Sequence, residues 1–273
     1  MVRQDTNIDV VICWCGSPAT EYCKYNRDLH FSVMSIRKNT SWVRRIWIIV
    51  SDDFASPELL PANIHIVKES AFVPKKYLPV IWNSNVIESW IWRIPGLSEC
   101  FVYMCDDMYI GRKISQDEFF IGQMPILRLY EGPPNYLPLS KTNSTIGYVR
   151  MWANAVEKWG LQYTRIQHQA LPYRKSLMKR FYEEYKGEVH RASKNKLRSG
   201  EADFNLLRFS SSLAVMSGDS LLRVTRDNTD FFCESGDKAG LAQICKTRPK
   251  FFCINNTANE NTAVYKMLER FFA

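Results

Sequence analysis

No apolar stretch in this chain approaches the roughly 18 residues that a membrane-spanning helix requires, and its N-terminus lacks the basic-then-apolar pattern of a secretory leader. These two absences lead us to expect a cytoplasmic protein, or one peripheral on the cytoplasmic membrane face. No paired CxxC motifs with zinc-site spacing occur, which removes zinc ribbons and fingers. Histidine is scarce, at 4 in 273 residues. There is no internal repeat, and the basic residues form neither a nucleic-acid-binding motif nor an aromatic-interleaved groove.

What is present describes a folded chain. Hydrophobic residues make up 46%, including 8 Trp, 13 Tyr and 15 Phe, far from the composition of disorder. The 36 basic and 28 acidic residues leave a formal +8. That excess favours anionic partners (nucleotides, phosphates, acidic glycans, nucleic acid or membrane headgroups) without choosing among them. The 8 cysteines include the close pair Cys13 and Cys15. Most read as small buried hydrophobes of a reduced chain, with a disulfide in the C-terminal part left open.

Short branched runs predict strands at IDVVIC (Ile8 to Cys13), RRIWIIV (Arg44 to Val50), NIHIV (Asn63 to Val67) and CFVYMC (Cys100 to Cys105). Helical spacing predicts helices over Lys24 to Lys38 and Asn85 to Arg93, the second capped by Asn83 or Ser84. Alternation of strands and helices implies an α/β fold with a mostly parallel central sheet. Gly and Pro between Gly122 and Ser144 mark a loop or lid-like excursion. Helices are expected near Tyr148 to Trp159 and Tyr173 to Tyr185, an apolar run spans Leu206 to Met216, and a terminal helix covers Thr262 to Phe272. We read residues 1–273 as one elaborated domain, with a core over about 8–120, a loop and helical insertion over about 121–190, and completion of the core over about 191–273.

Ligands of open α/β sheets bind beyond the carboxyl ends of the strands. Asp52/Asp53 and Asp106/Asp107 both fall there. Each pair either caps the segment after its strand or shares a cation such as Mg²⁺ or Mn²⁺ that bridges to phosphate oxygens. Sequence does not separate the two pairs. His168, in HQALPY between two helix candidates, has the near-neutral chemistry of a proton-transfer group or ends a helix. Arg191, Lys194, Lys196 and Arg198 suit phosphate or form a solvated face, and Asp203 close by suits a local salt bridge. WNSNVIE (Trp82 to Glu88) places two amides and an acid where a sugar or base could be read.

Several of these segments, in order, resemble the Stealth family of capsular-polysaccharide phosphotransferases and their GlcNAc-1-phosphotransferase relatives. IDVVICWCGSP resembles the first conserved region. Tyr25-Asn26-Arg27-Asp28 with LHFSVMSIRKNTSWVRRIWIIVSDD resembles the start of the second, and YLPVIWNSNVIESWIWRIPGLSECFVYMCDDMYIGRKIS its continuation. His168 with Pro172 resembles the third, and KLRSGEAD with the apolar run after it the fourth.

The resemblance implies a glycosyltransferase-A-like nucleotide-diphospho-sugar transferase fold and a donor such as a UDP-N-acetylhexosamine. It makes residues 1–273 a catalytic domain and the part over about 8–120 its nucleotide-binding core. A glycan hydroxyl would attack the sugar-proximal phosphorus, leaving a sugar phosphodiester and releasing nucleoside monophosphate. It implies Asp106, Asp107, His168 and Arg198 as catalytic residues, with Mg²⁺ or Mn²⁺ at Asp106 and Asp107. Arg27, Asp28, Asn83, Asn85, Glu88 and Asp203 become donor-pocket residues. The chain departs from the family at its start. Where Stealth proteins carry Trp-Val-Asp-Gly or Trp-Val-Asn-Gly, this chain has Trp14-Cys15-Gly16-Ser17-Pro18. Two other readings stand beside the phosphotransferase: a conventional glycosyltransferase releasing nucleoside diphosphate, and an inactive nucleotide- or glycan-binding relative.

Overall fold

The computed structural model describes residues 7–14, 27–54, 62–80, 83–130, 168–196, 203–225, 230–255 and 262–273. In chain order the first elements are β1 (Ile8–Cys13), α1 (Asp28–Asn39), β2 (Val43–Val50), β3 (Ile64–Lys68), α2 (Ser84–Trp90) and β4 (Cys100–Cys105). Then come β5 (Met108–Ile110), β6 (Phe120–Ile121), β7 (Met124–Tyr130), β8 (Leu171–Arg174), α3 (Lys175–Glu184) and α4 (Lys186–Ala192). The last are α5 (Leu206–Met216), β9 (Leu221–Thr225), β10 (Asp230–Glu234), α6 (Lys238–Thr247), β11 (Phe251–Asn255) and α7 (Thr262–Phe272).

The central sheet runs β3-β2-β1-β4-β8, parallel throughout except for β8 against β4. Its strands are apolar on both faces because both are covered. Val11, Trp47, Ile49, Phe101 and Tyr103 point to one side, where α2, α3 and α5 contribute Trp90, Met178, Phe181 and Phe209. Ile8, Val10, Ile12, Ile46, Ile48, Val102 and Met104 point to the other, against Ile36 of α1 and Phe119, Phe120 and Phe251. One acid interrupts this apolar run. Asp9 is fully buried and accepts from Arg44 Nε at 2.8 Å, Arg44 Nη2 at 2.7 Å, Trp47 Nε1 at 2.9 Å and the Ser98 amide at 2.9 Å. Burial alone would raise its pKa. These four donors and the charge on Arg44 outweigh burial and hold it below the ordinary carboxylate range.

A second, small sheet, β10-β11-β5, grips the turn after β4. Met108 pairs with Cys253 and Tyr109 with Phe252 in antiparallel register, and the Ile254 amide donates to the Asp107 carbonyl at 3.2 Å. Gly111 ends this clamp. Its amide donates to the Lys250 carbonyl at 2.9 Å, and a Cβ there would lie 2.2 Å from the Pro249 carbonyl oxygen. Behind the sheet, Phe31 of α1 packs with Val264, Tyr265 and Leu268 of α7.

The predicted strands of the sheet all form, within a residue of their expected ends. Several other expectations are corrected. The helix expected from Tyr173 begins at Lys175, because Leu171–Arg174 pairs with the exposed edge of β4. The excursion expected from Gly122 contains β7, which pairs with β6 and lies parallel to β9, and Gly122 supplies the turn at φ +60°. The helix at Asn85 is seven residues, Ser84–Trp90, followed by a 3₁₀ turn over Ile91–Arg93. Of the two candidate caps, it is Asn83 whose side chain accepts from the Asn85 amide. The helix expected over Tyr148 to Trp159 lies outside the described residues. Cys233, Cys245 and Cys253 are all free.

Candidate active site

The chain proceeds outward from β1 to β2 and β3, then returns to place β4 on the other side of β1. That reversal opens a crevice at the carboxyl ends of β1 and β4, the usual ligand position in such sheets. Cys13 and Cys105 are register partners at those two ends. Asp106 and Asp107 form the turn after Cys105, and His168 precedes β8, the strand against the far side of β4.

His168 Nε2 lies 3.2 Å from Asp107 Oδ1. The other Asp107 oxygen, Oδ2, accepts from the Cys253 thiol of β11 at 3.3 Å. One donor atom each from Cys105, Asp107 and His168 lie within 4.8 Å of one another. These three residues form a candidate metal-binding triad. Asp106, expected from sequence to share a cation with Asp107, is not among the three, whereas Cys105 and His168 are.

The two adjacent carboxyls have opposite electrostatics. Burial, then the charges of Asp107 and Asp28, push Asp106 up to about 8. Asp107 also suffers burial, yet His168 and the Cys253 thiol outweigh it and hold the carboxylate low. Burial opposes charge on His168 as well, but Asp107 and Cys105 raise its pKa well above that of free imidazole. Cys253, pushed well above an ordinary thiol by burial and by Asp107, is a hydrogen-bond donor and not a thiolate. Side-chain exposures of 16% for Asp107 and 31% for His168 leave the pair recessed but reachable.

The other site candidates separate into groups. Asp28 is buried, accepts from Tyr109 at 2.9 Å and contributes to the charge felt by Asp106. Arg27, its neighbour, is turned to the back of the sheet, paired with Glu269 at 2.9 Å and lying over Tyr265. Asn83, Asn85 and Glu88 are almost wholly buried. Asn83 donates to the Asn195 carbonyl at 3.0 Å, while Asn205, the N-cap of α5, donates to Asn85 Oδ1 at 2.9 Å and Glu88 Oε2 at 2.6 Å. Glu88 Oε1 accepts from Tyr103 at 2.9 Å, and that hydroxyl lies 3.7 Å from Cys105 Sγ. The WNSNVIE amides and acid therefore lie beneath the cluster, hydrogen-bonded to protein. Asp203 accepts from Asn195 at 3.4 Å. Arg198 lies outside the described residues.

The second acidic pair has a different environment. Asp52 Oδ1 accepts from the Ser70 hydroxyl at 2.6 Å and Asp53 from Ser51 at 2.5 Å, so this pair closes an exposed loop. Of the basic run, Lys196 donates to the carbonyls of Tyr77 at 3.0 Å and Pro79 at 2.8 Å, and Arg191 and Lys194 are exposed. His190 sits between the hydroxyls of Tyr77 and Tyr182 at 2.5 and 3.0 Å. Sequence reasoning passed over Cys105 and Cys253. The cue for Cys105 was its position flush against Asp106 at a strand end. Nothing local marks Cys253, which β11 brings in from 146 residues away.

Comparison with known proteins shows what the chain is similar to. Residues 23–126, which include α1, β2 to β5 and the Asp106–Asp107 turn, match Stealth protein CR2, conserved region 2. A capsular polysaccharide phosphotransferase of Haemophilus influenzae is 28% identical over 94% of this chain and 80% of its own length. One from Neisseria meningitidis serogroup B is 26% identical over 71% of this chain and 54% of its own. An exopolysaccharide phosphotransferase of Mycobacterium tuberculosis is 28% identical over 94% of this chain. The match spans about half the length of these last two relatives, 54% and 51%.

Proposed function

We propose that this chain, which belongs to the Stealth family, transfers a sugar-1-phosphate from a nucleotide diphospho-sugar to a glycan hydroxyl, forming a phosphodiester and releasing nucleoside monophosphate. A UDP-N-acetylhexosamine is the donor class we favour. The observation that carries this reading is the cluster at the β1–β4 crevice: an ionised Asp107 paired with His168, beside an Asp106 carboxyl pushed up to about 8. A mostly parallel sheet with its polar cluster at the strand ends supports a glycosyltransferase-A-like fold in one catalytic domain.

Neighbouring groups whose environments drive their pKa values apart divide acid–base roles between them. Asp106, near neutrality, accepts the proton of the attacking glycan hydroxyl. Asp107 stays ionised and orients the His168 ring. With no cation bound, protonated His168 presents positive charge to the diphosphate, where charge is redistributed as the sugar-proximal phosphorus passes to its new oxygen; with a cation bound, His168 would be its neutral ligand and the ion would supply that charge. Arg198 grips phosphate oxygens, and Asp203 orients it. Asn83, Asn85 and Glu88 hold β4 and α2 in place beneath the donor, and Asp28 helps to raise Asp106.

A divalent cation, when bound, would neutralise diphosphate charge. Cys105, Asp107 and His168 would hold it, with Asp106 beside them. Of the Mg²⁺ and Mn²⁺ expected from sequence, Mn²⁺ fits a mixed sulfur, oxygen and nitrogen set better, since Mg²⁺ strongly prefers oxygen.

Incubation with nucleotide diphospho-sugars and a polysaccharide acceptor tests the reaction through the nucleotide released. Monophosphate is expected, together with a phosphodiester in the product. Diphosphate release would establish the conventional glycosyltransferase instead.

A further inference from the structure

The geometry points to a thiophilic first-row cation, of the Zn²⁺ or Co²⁺ class, as the ion this crevice selects, with the Cys105 thiolate as the ligand that sets the preference. The inference deepens the reading above and rests on it only for what the ion does.

Three observations carry it. The first is the donor set. Cys105 Sγ, an Asp107 oxygen and a His168 nitrogen converge within 4.8 Å, a combination of sulfur, oxygen and nitrogen. Thiolate and imidazole suit zinc-like ions, whereas Mg²⁺ takes oxygens in octahedral array and keeps several waters. The second is spacing. Nitrogen and oxygen donors on one tetrahedral ion sit about 3.4 Å apart, and His168 Nε2 to Asp107 Oδ1 is 3.2 Å. The third is what stands behind the ligands. The Cys253 thiol donates to the Asp107 oxygen that does not face His168, at 3.3 Å, which fixes the carboxylate and turns its other oxygen toward the cluster. Tyr103, whose hydroxyl donates to Glu88 at 2.9 Å, lies 3.7 Å from Cys105 Sγ and packs that ligand against the buried layer. The ligands come from the end of β4, the turn after it and the residues before β8, so only the folded chain assembles them.

Three protein ligands leave a coordination position for a substrate oxygen, the arrangement that distinguishes catalytic from structural zinc sites. The ion replaces the protons of the Cys105 thiol and of His168, which leave to solvent as it binds.

The test uses the full purified chain stripped of metal, titrated calorimetrically with Zn²⁺, Co²⁺ and Mg²⁺ without donor. We expect Zn²⁺ to bind at one equivalent at least about 100-fold more tightly than Mg²⁺, and Co²⁺ to give a thiolate-to-cobalt charge-transfer band in the near ultraviolet. Cys105→Ser should abolish that band and lower Zn²⁺ affinity by at least about 100-fold while changing Mg²⁺ affinity little. Cys245→Ser, at an exposed thiol, should change none of these. If Cys105→Ser does not fold, the Zn²⁺ to Mg²⁺ ratio in His168→Gln decides, and a collapse of that ratio is expected. Comparable Zn²⁺ and Mg²⁺ affinities, a band that survives Cys105→Ser, or one that vanishes with Cys245→Ser would each overturn the inference. Nucleotide release is scored separately. Diphosphate release with the zinc preference intact defeats the transfer reaction alone, and monophosphate release without any zinc preference defeats the metal assignment alone.

Discussion

His168 Nε2 lies 3.2 Å from Asp107 Oδ1, although 61 residues separate them in the chain. Each partner favours the charged form of the other, while burial first, and then the charges of Asp107 and Asp28, push the neighbouring Asp106 up to about 8. Replacing His168 with Gln or Asp107 with Asn should lower turnover by at least about 100-fold with the far-ultraviolet circular dichroism unchanged. Asp106→Asn should do the same and have one further signature. A base must be deprotonated, so wild-type turnover should rise with pH toward about 8 and then level. The residual activity of Asp106→Asn should lack that limb. Near-normal turnover in any folded variant removes that residue from the mechanism.

Asp9 is the buried ionic point of the central sheet. Asp9→Ala strands the Arg44 guanidinium and two further donors, and should destabilise the fold by about 3–5 kcal/mol in urea denaturation. Because the folded pKa is lowered, the unfolded chain binds more protons as pH falls. The contribution is therefore complete above the ordinary carboxylate pKa and is lost as pH falls through the folded value. The stability advantage of wild type over the variant should shrink in acid.

Glu69 carries the opposite sign. Burial, with added repulsion from Asp52 and Asp53, pushes it up to about 7 against a Val80 amide and Lys196 that pull it down. Here the folded chain binds the extra proton, so stability falls as pH rises from 4.5 to about 7. Glu69→Gln should recover about 2 kcal/mol at pH 8 relative to its effect at pH 5, read as the difference between two thermal melts. Equal effects at both pH values would show that Glu69 ionises freely.

Gly111 should tolerate no side chain. Its φ is not in the left-handed region, so the penalty is purely contact: a Cβ would sit 2.2 Å from the Pro249 carbonyl oxygen, which is backbone and cannot swing aside. Gly111→Ala should cost about 2 kcal/mol or more in chemical denaturation. It should also lower turnover, because β5 and β11 hold the Asp107 turn.

Asn205 tests the buried layer. Asn205→Ala removes the donor shared by Asn85 and Glu88 and should destabilise by about 2–3 kcal/mol. The KM for donor should change little, since these groups contact protein. A large rise in KM at unchanged stability would return Asn85 and Glu88 to the donor pocket.

The central strands were legible because each is a branched apolar run buried on both faces, and α7 because its boundaries coincide with a strong helical period. The strands β5, β7, β9, β10 and β11 were not. Their residues take up extended structure only against a partner strand brought from elsewhere, as Tyr173 does against β4. The candidate site divides along the same line. An acid pair at a strand end is readable, and so is a scarce histidine before a proline. The difference between Asp52/Asp53 and Asp106/Asp107 is not, since local sequence contains no record of what stands opposite.

By itself, the sequence determined the parallel core, its order of strands and helices, and the resemblance to Stealth proteins. Those properties follow from hydrophobic periodicity and from ordered motifs, both of which are local. The tertiary structure alone decided that Asp107 pairs with His168, that Asp106 is the raised carboxyl, and that Cys105 and Cys253 belong to the cluster. Charge and coordination act through space over a few ångströms, and only folding brings β11 and the approach to β8 within that reach of the turn after β4.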